Sequence, residues 1–124
     1  MKSKVWYAGN RSTSPATSYV ASMLQVFDSA GLEKLIKPYD TVAIKIHCGE
    51  WNNIAYLRPV YARALADRIK ELGGRPFVTD TTTLTYGPHT SRATELDIRI
   101  TAERNGFSSA TLGSTTLRWN SCCW

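Results

Sequence analysis

Apolar residues in this chain recur in two rhythms, and the points where one gives way to the other mark out its elements. Val42, Ile44 and Ile46 alternate with Ala43, Lys45 and His47, the period of a strand with one face turned to a core. Lys4 to Ala8 (Lys-Val-Trp-Tyr-Ala) and Arg75 to Thr79 carry the same strand character. Between them the period lengthens. Val20, Met23, Leu24 and Phe27 fall at helical spacing after a Thr17 or Ser18 cap, and Gly31 stands where the helix ends. Lys37-Pro38-Tyr39-Asp40 predicts a turn into the central strand. A second helix opens at Arg58-Pro59, places Tyr61, Leu65, Ile69 and Leu72 on one stripe, and stops at Gly73-Gly74. A third is expected over Arg92 to Arg104, stopped by Asn105-Gly106 with Phe107 packing back.

Alternation of strand and helix through residues 4 to 107 specifies an α/β fold, a parallel sheet flanked by helices on both sides in a Rossmann-like three-layer arrangement. Right-handed crossovers then carry the ends of the second and third strands to one edge of the sheet. His47 to Glu50 and Asp80 to Thr83 are therefore expected to line a single crevice, since ligands in open α/β sheets collect beyond the carboxyl ends of the strands. The last eleven residues, 114 to 124, show neither period. They are expected to be an atypical tail appended to an α/β region at 1 to 113, with a short strand at Thr115 to Trp119 as the alternative. Three strand–helix units would leave an unpaired sheet edge and a domain short of its full complement, which favours self-association.

Composition narrows the function classes. With 43% hydrophobic and 20% charged residues the chain belongs with globular proteins, and no apolar run is long enough to span a membrane. The net charge of +5 raises nucleic acid as a partner, but most bases are interleaved with acids, as at Arg63, Asp67, Arg68, Lys70 and Glu71. No nucleic-acid-binding motif accompanies the charge, so an anionic small molecule is the better match. Three cysteines, Cys48, Cys122 and Cys123, are odd in number and badly spaced for a disulfide framework, which points to a reduced, cytoplasmic setting.

Chemistry gathers at the strand ends. A lysine within a buried strand, Lys45, needs an acid or an anionic ligand, and Asp80 is its natural partner or that of His47. Asp80 would equally serve as a loop cap, and Lys45 could snorkel to an edge. Thr81, Thr82 and Thr83 offer hydroxyl and backbone donors to phosphate or carboxylate oxygens, or hydrogen-bond within their own loop. Arg58 precedes a helix N-terminus, where free N–H groups favour anions, though a surface arginine would look the same. His47, Cys48, Glu50 and His89 match no standard zinc spacing, and no metal site is expected. A Cys48–His47 nucleophile pair is disfavoured because adjacent strand residues point to opposite faces.

The run Val42-Ala43-Ile44-Lys45-Ile46-His47-Cys48-Gly49-Glu50 resembles the iron–sulfur-centre proteins known as domain of unknown function 362. So do Tyr56-Leu57-Arg58-Pro59, Leu72-Gly73-Gly74-Arg75-Pro76-Phe77, Thr79-Asp80-Thr81 and Asn105-Gly106-Phe107. The resemblance implies an α/β N-terminal region that, in full-length members, leads into a ferredoxin-like segment whose cysteines hold two 4Fe-4S clusters. This sequence has no such segment, so it is expected to be a truncated N-terminal portion without a cofactor of its own, its tail the product of a frameshift or a truncated gene. The family usually carries an aromatic where this chain has Cys48, which argues against Cys48 as a catalyst. Lys45, His47, Glu50, Arg58, Asp80 and Thr81 fall within the matching motifs and are the candidate ligand-binding residues. No catalytic role follows for any of them. The expected function is anion binding within a redox-associated protein; a stand-alone, non-catalytic anion-binding or interaction module is the alternative.

Overall fold

The computed structural model describes residues 2–83, 91–113 and 115–120. Its core is a parallel three-stranded sheet in the order β1 (Thr41–Lys45), β2 (Arg75–Thr81), β3 (Thr116–Asn120). Helix α1 (Tyr19–Ser29) precedes the sheet, α2 (Pro59–Glu71) joins β1 to β2, and α3 (Glu95–Arg104) lies between β2 and β3. The α/β class and parallel sheet predicted from the alternation are what the chain adopts. No helix among the described residues is long and apolar enough to cross a membrane.

Local chemistry sets the helix ends. Of the two candidate caps for α1, Ser18 serves: its hydroxyl accepts from Ala21 N at 3.2 Å. Pro59 occupies the first position of α2 as predicted, where a missing N–H costs nothing. Helix α3 begins three residues later than the expected Arg92. Thr94 and Asp97 form a reciprocal capping box, with Asp97 N donating to Thr94 Oγ1 at 3.1 Å and Thr94 N to Asp97 Oδ2 at 2.9 Å. That cap keeps Ser91 to Ala93 out of the helix and releases Arg92 for another task.

Ile44 of β1, Ile46 just beyond it and Val78 of β2 form one buried cluster with Ala62, Ala66 and Ile69 of α2 and with Ile98 and Ala102 of α3. Both crossover helices therefore cover the same face of the sheet, which corrects the expectation of helices on both sides in three layers. This follows from the strand order, because two right-handed crossovers stepping in one direction must lie on one side. On β1 the other face, Thr41, Ala43 and Lys45, is exposed.

Two expectations are corrected. Lys4 to Ala8 form no strand; Val5 and Tyr7 are each 84% exposed. Strand propensity alone cannot hold an extended segment whose backbone finds no ladder. The C-terminal stretch, conversely, is not patternless in space. Residues Thr116–Asn120 pair with Phe77–Thr81 in parallel register, Val78 opposite Leu117 and Thr79 opposite Arg118, and Leu117 packs against the core. The strand alternative, offset by one residue, is the one realised. Ser114, Cys122, Cys123 and Trp124 lie outside the described residues, as does His89.

Candidate functional site

Beyond the last ladder bond, where Ile46 N donates to Thr79 O at 3.0 Å, the chain enters a tightly held loop. Gly49 adopts φ +92°, and an added Cβ would stand 2.5 Å from Asn105 Nδ2 and 2.9 Å from the Tyr56 ring. Asn105 fixes the loop by donating from Nδ2 to Cys48 O at 2.8 Å, and Tyr56 OH donates to Asn105 O at 3.4 Å. The Arg104 guanidinium lies 4.5 Å over the Trp51 ring. Gly49→Ala is expected to destabilise the fold by about 2 kcal/mol, from the left-handed backbone and the forced shift of Asn105. Calorimetry would test this; a melting temperature within error of wild type would mean that the loop relaxes freely.

Asp80, at the end of β2, is fully buried and is the hub of the site. Its Oδ2 accepts from Cys48 N at 3.0 Å and from Arg92 Nη2 at 2.8 Å. Its Oδ1 accepts from Thr81 N at 2.9 Å and faces Lys45 Nζ at 3.1 Å. Burial works against the charged carboxylate, yet the backbone donors Cys48 and Thr81 and the Lys45 ammonium outweigh it and hold the carboxyl below its usual range. Burial, reinforced by the neighbouring Asp80, pushes the Cys48 thiol up to about 12, so it stays protonated and unreactive at neutral pH.

Arg92 completes the cluster and was not among the residues expected from sequence. Its side chain is 6% exposed. Nη2 also donates to Thr81 O at 3.2 Å, Nη1 donates to His47 Nδ1, and Nε has no hydrogen-bond partner. A guanidinium can only donate, so in this contact Nδ1 of the exposed His47 ring is the acceptor. The signal that would have located Arg92 is the Thr94-x-x-Asp97 capping pattern, which starts the helix after it.

Part of the expected set is brought together in space. Lys45, His47, Asp80 and Thr81 come together at the ends of β1 and β2, joined by Arg92. Lys45 is not a buried lysine: its side chain is 59% exposed, because the helices cover the opposite face. Glu50 is half-buried in the loop, and Arg58 heads α2 with its guanidinium 6.0 Å over the Tyr56 ring. Among the described residues neither joins the Asp80 cluster. No three His, Cys, Asp or Glu side chains among the described residues are grouped to hold a metal ion. Cys48, buried and protonated, does not fit the thiolate ligand that a 4Fe-4S cluster requires.

Two cations converging on one buried carboxylate at the end of a parallel sheet define an α/β protein with a charged, built strand-end site. A family model described as Domain of unknown function (DUF362) matches residues 42–119, from the start of β1 into β3. The chain belongs to that family. Neither a curated protein nor a solved structure matches it.

Proposed function

We propose that the strand ends bind an anionic small molecule, a phosphate or a carboxylate, without catalysing a reaction on it. One observation carries this reading: Asp80 is met by both Lys45 and Arg92, which leaves a surplus of positive charge beside His47. Lys45 keeps donors to spare and is open to solvent, and Arg92 Nε is unpartnered. Asp80 acts as the organiser that aims these groups. Its four partners leave no free lone pair for a general base, and the Cys48 thiol is no nucleophile, which favours binding over catalysis. Arg58 and Glu50 would stand farther out, steering rather than gripping. Part of the same proposal is the cytoplasmic, redox-associated setting that the resemblance to iron–sulfur-centre proteins implies.

Lys45→Met is expected to weaken binding of inorganic phosphate or a dicarboxylate about tenfold, the lower end for a hydrogen bond to a charged group. It should cost folding no more than about 1 kcal/mol, because an exposed ion pair is screened. Isothermal titration of both proteins, with thermal unfolding alongside, separates the two effects. Absence of saturable anion binding by the wild-type protein would sink the proposal. Equal affinity in the variant would remove Lys45 from the site.

A further inference from the structure

The sheet has one face covered by helices and one open, and charge is divided unevenly between them. With α2 and α3 on one side, alternation and register place Thr41, Ala43 and Lys45 of β1 and Arg75, Phe77 and Thr79 of β2 on the other. Ala43 and Arg75 are exposed and Phe77 is half-buried. Arg118 of β3, also exposed, lies opposite Thr79 and holds its guanidinium 4.9 Å over the Phe77 ring, which puts it on the same face. Lys45 and Arg118 therefore flank Thr79 in one row about 10 Å across, and Arg75 stands about 13 Å down the same strand.

The interleaving of bases with acids holds on the helices and fails here. Arg63, Arg68 and Lys70 of α2 each pair with Asp28, Asp67 or Glu71. The three strands carry a single acid, Asp80, which is buried and already met by two cations. Asp40, in the turn before β1, commits its carboxylate to Lys37 N at 2.9 Å. Arg75 and Arg118 have no acidic partner among the described residues. Each lies instead over an aromatic ring, Arg118 over Phe77 and Arg75 5.1 Å over Tyr39, which is 74% exposed.

We infer that this open face binds single-stranded nucleic acid, its phosphates meeting Arg75, Arg118 and Lys45 and its bases stacking on the two ring–guanidinium pairs. A guanidinium held on a ring offers its flat side to a base and its N–H edge to a phosphate. A flat three-stranded face presents no helix or ribbon to a duplex groove, whereas splayed bases lie on a sheet two or three at a time. A second copy is disfavoured, because two such faces would bring like charges together. An acidic peptide would match the charge and leave the stacking surfaces unused. The face shares only Lys45 with the strand-end cluster and needs no anion bound there.

Fluorescence anisotropy of labelled oligo(dT) and oligo(U) on the full chain reads this directly. Both should bind saturably, and about twentyfold more weakly at roughly 200 mM than at roughly 50 mM salt, the slope for three phosphate contacts on a single strand. Arg75→Gln and Arg118→Gln should each weaken binding severalfold and flatten the logarithmic salt slope by about 0.7. Tyr39→Asn suits the left-handed backbone at φ +72° and removes no charge. It should cost at least about fivefold with the slope unchanged, the signature of lost stacking. Arg99→Gln removes an equal charge from an exposed position on α3 and should stay within about twofold of wild type. Phosphate titration of the same variants reports the strand-end cluster separately, so the two readings fail independently. No saturable binding in low salt, a duplex held as tightly as the single strands, or Arg99→Gln as damaging as Arg75→Gln overturns the inference. So does polyglutamate that competes equally, charge for charge, which would assign the face to an acidic peptide.

Discussion

Asp80→Asn is expected to cost about 3–5 kcal/mol of folding stability, the usual penalty for removing one partner of a buried ion pair. An asparagine has one acceptor oxygen and one NH₂. Whichever way it turns, the NH₂ meets donors, either Cys48 N and Arg92 or Thr81 N and Lys45. The 6%-exposed Arg92 then keeps its charge with no counter-ion. Much of the loss is therefore the desolvation of Arg92, and Asp80→Asn combined with Arg92→Met should be more stable than Asp80→Asn alone. Urea unfolding of the four proteins closes the cycle. A second signature belongs to the same carboxylate. Its folded pKa lies below the ordinary value of about 3.9, so its contribution is complete above that pH and lost as pH falls through the folded value. The stability difference between wild type and Asp80→Asn should shrink accordingly in acid. A single variant within about 1 kcal/mol of wild type at pH 7 would show that the cluster rearranges and that Asp80 is not its hub.

Much of this arrangement was legible in the chain because it is encoded locally. The alternation at Val42 to Ile46, Pro59 at the start of α2 and the polar residues closing β1 and β2 depend on near neighbours, and the structure follows them. The pairing of Lys45 with Asp80 was expected from the burial cost of charge, and the ion pair is there. What could not be read is set by long-range partners. Lys45 looked buried because a strand's period says which residues share a face but not which face the helices cover. Arg92 was assigned to a helix, since its helical surroundings outweighed a capping box whose effect is to exclude it. Asn105 was read as a helix stop, and its side chain proves to hold the Cys48 carbonyl across 57 positions of sequence.

The stretch after Gly113 was misjudged for a related reason, and removing it should be among the most damaging changes available. Its alternation is short, and the register that gives it meaning lies on β2, nearly forty residues earlier. Without Thr116–Asn120 the central strand becomes an edge, and the backbone groups of Phe77 to Thr81 on that side lose their ladder. Each such bond contributes a net ~0.5–1.5 kcal/mol. Leu117 leaves the core, buried Thr115 is lost, and the Phe77 ring loses the Arg118 guanidinium 4.9 Å above it. Together these remove several kcal/mol from a domain whose whole stability is expected to be roughly 5–15 kcal/mol. Truncation after Gly113 should therefore abolish cooperative unfolding or lower the melting temperature by well over ten degrees, with aggregation through the newly bared β2 edge. It should also disturb the site, because Asp80 and Thr81 sit opposite the last two residues of β3 and set the position of Arg92. Calorimetry and size-exclusion of the two lengths decide the matter. A truncated protein that unfolds as cooperatively as the full chain, at an unchanged temperature, would show that β3 is dispensable to the sheet.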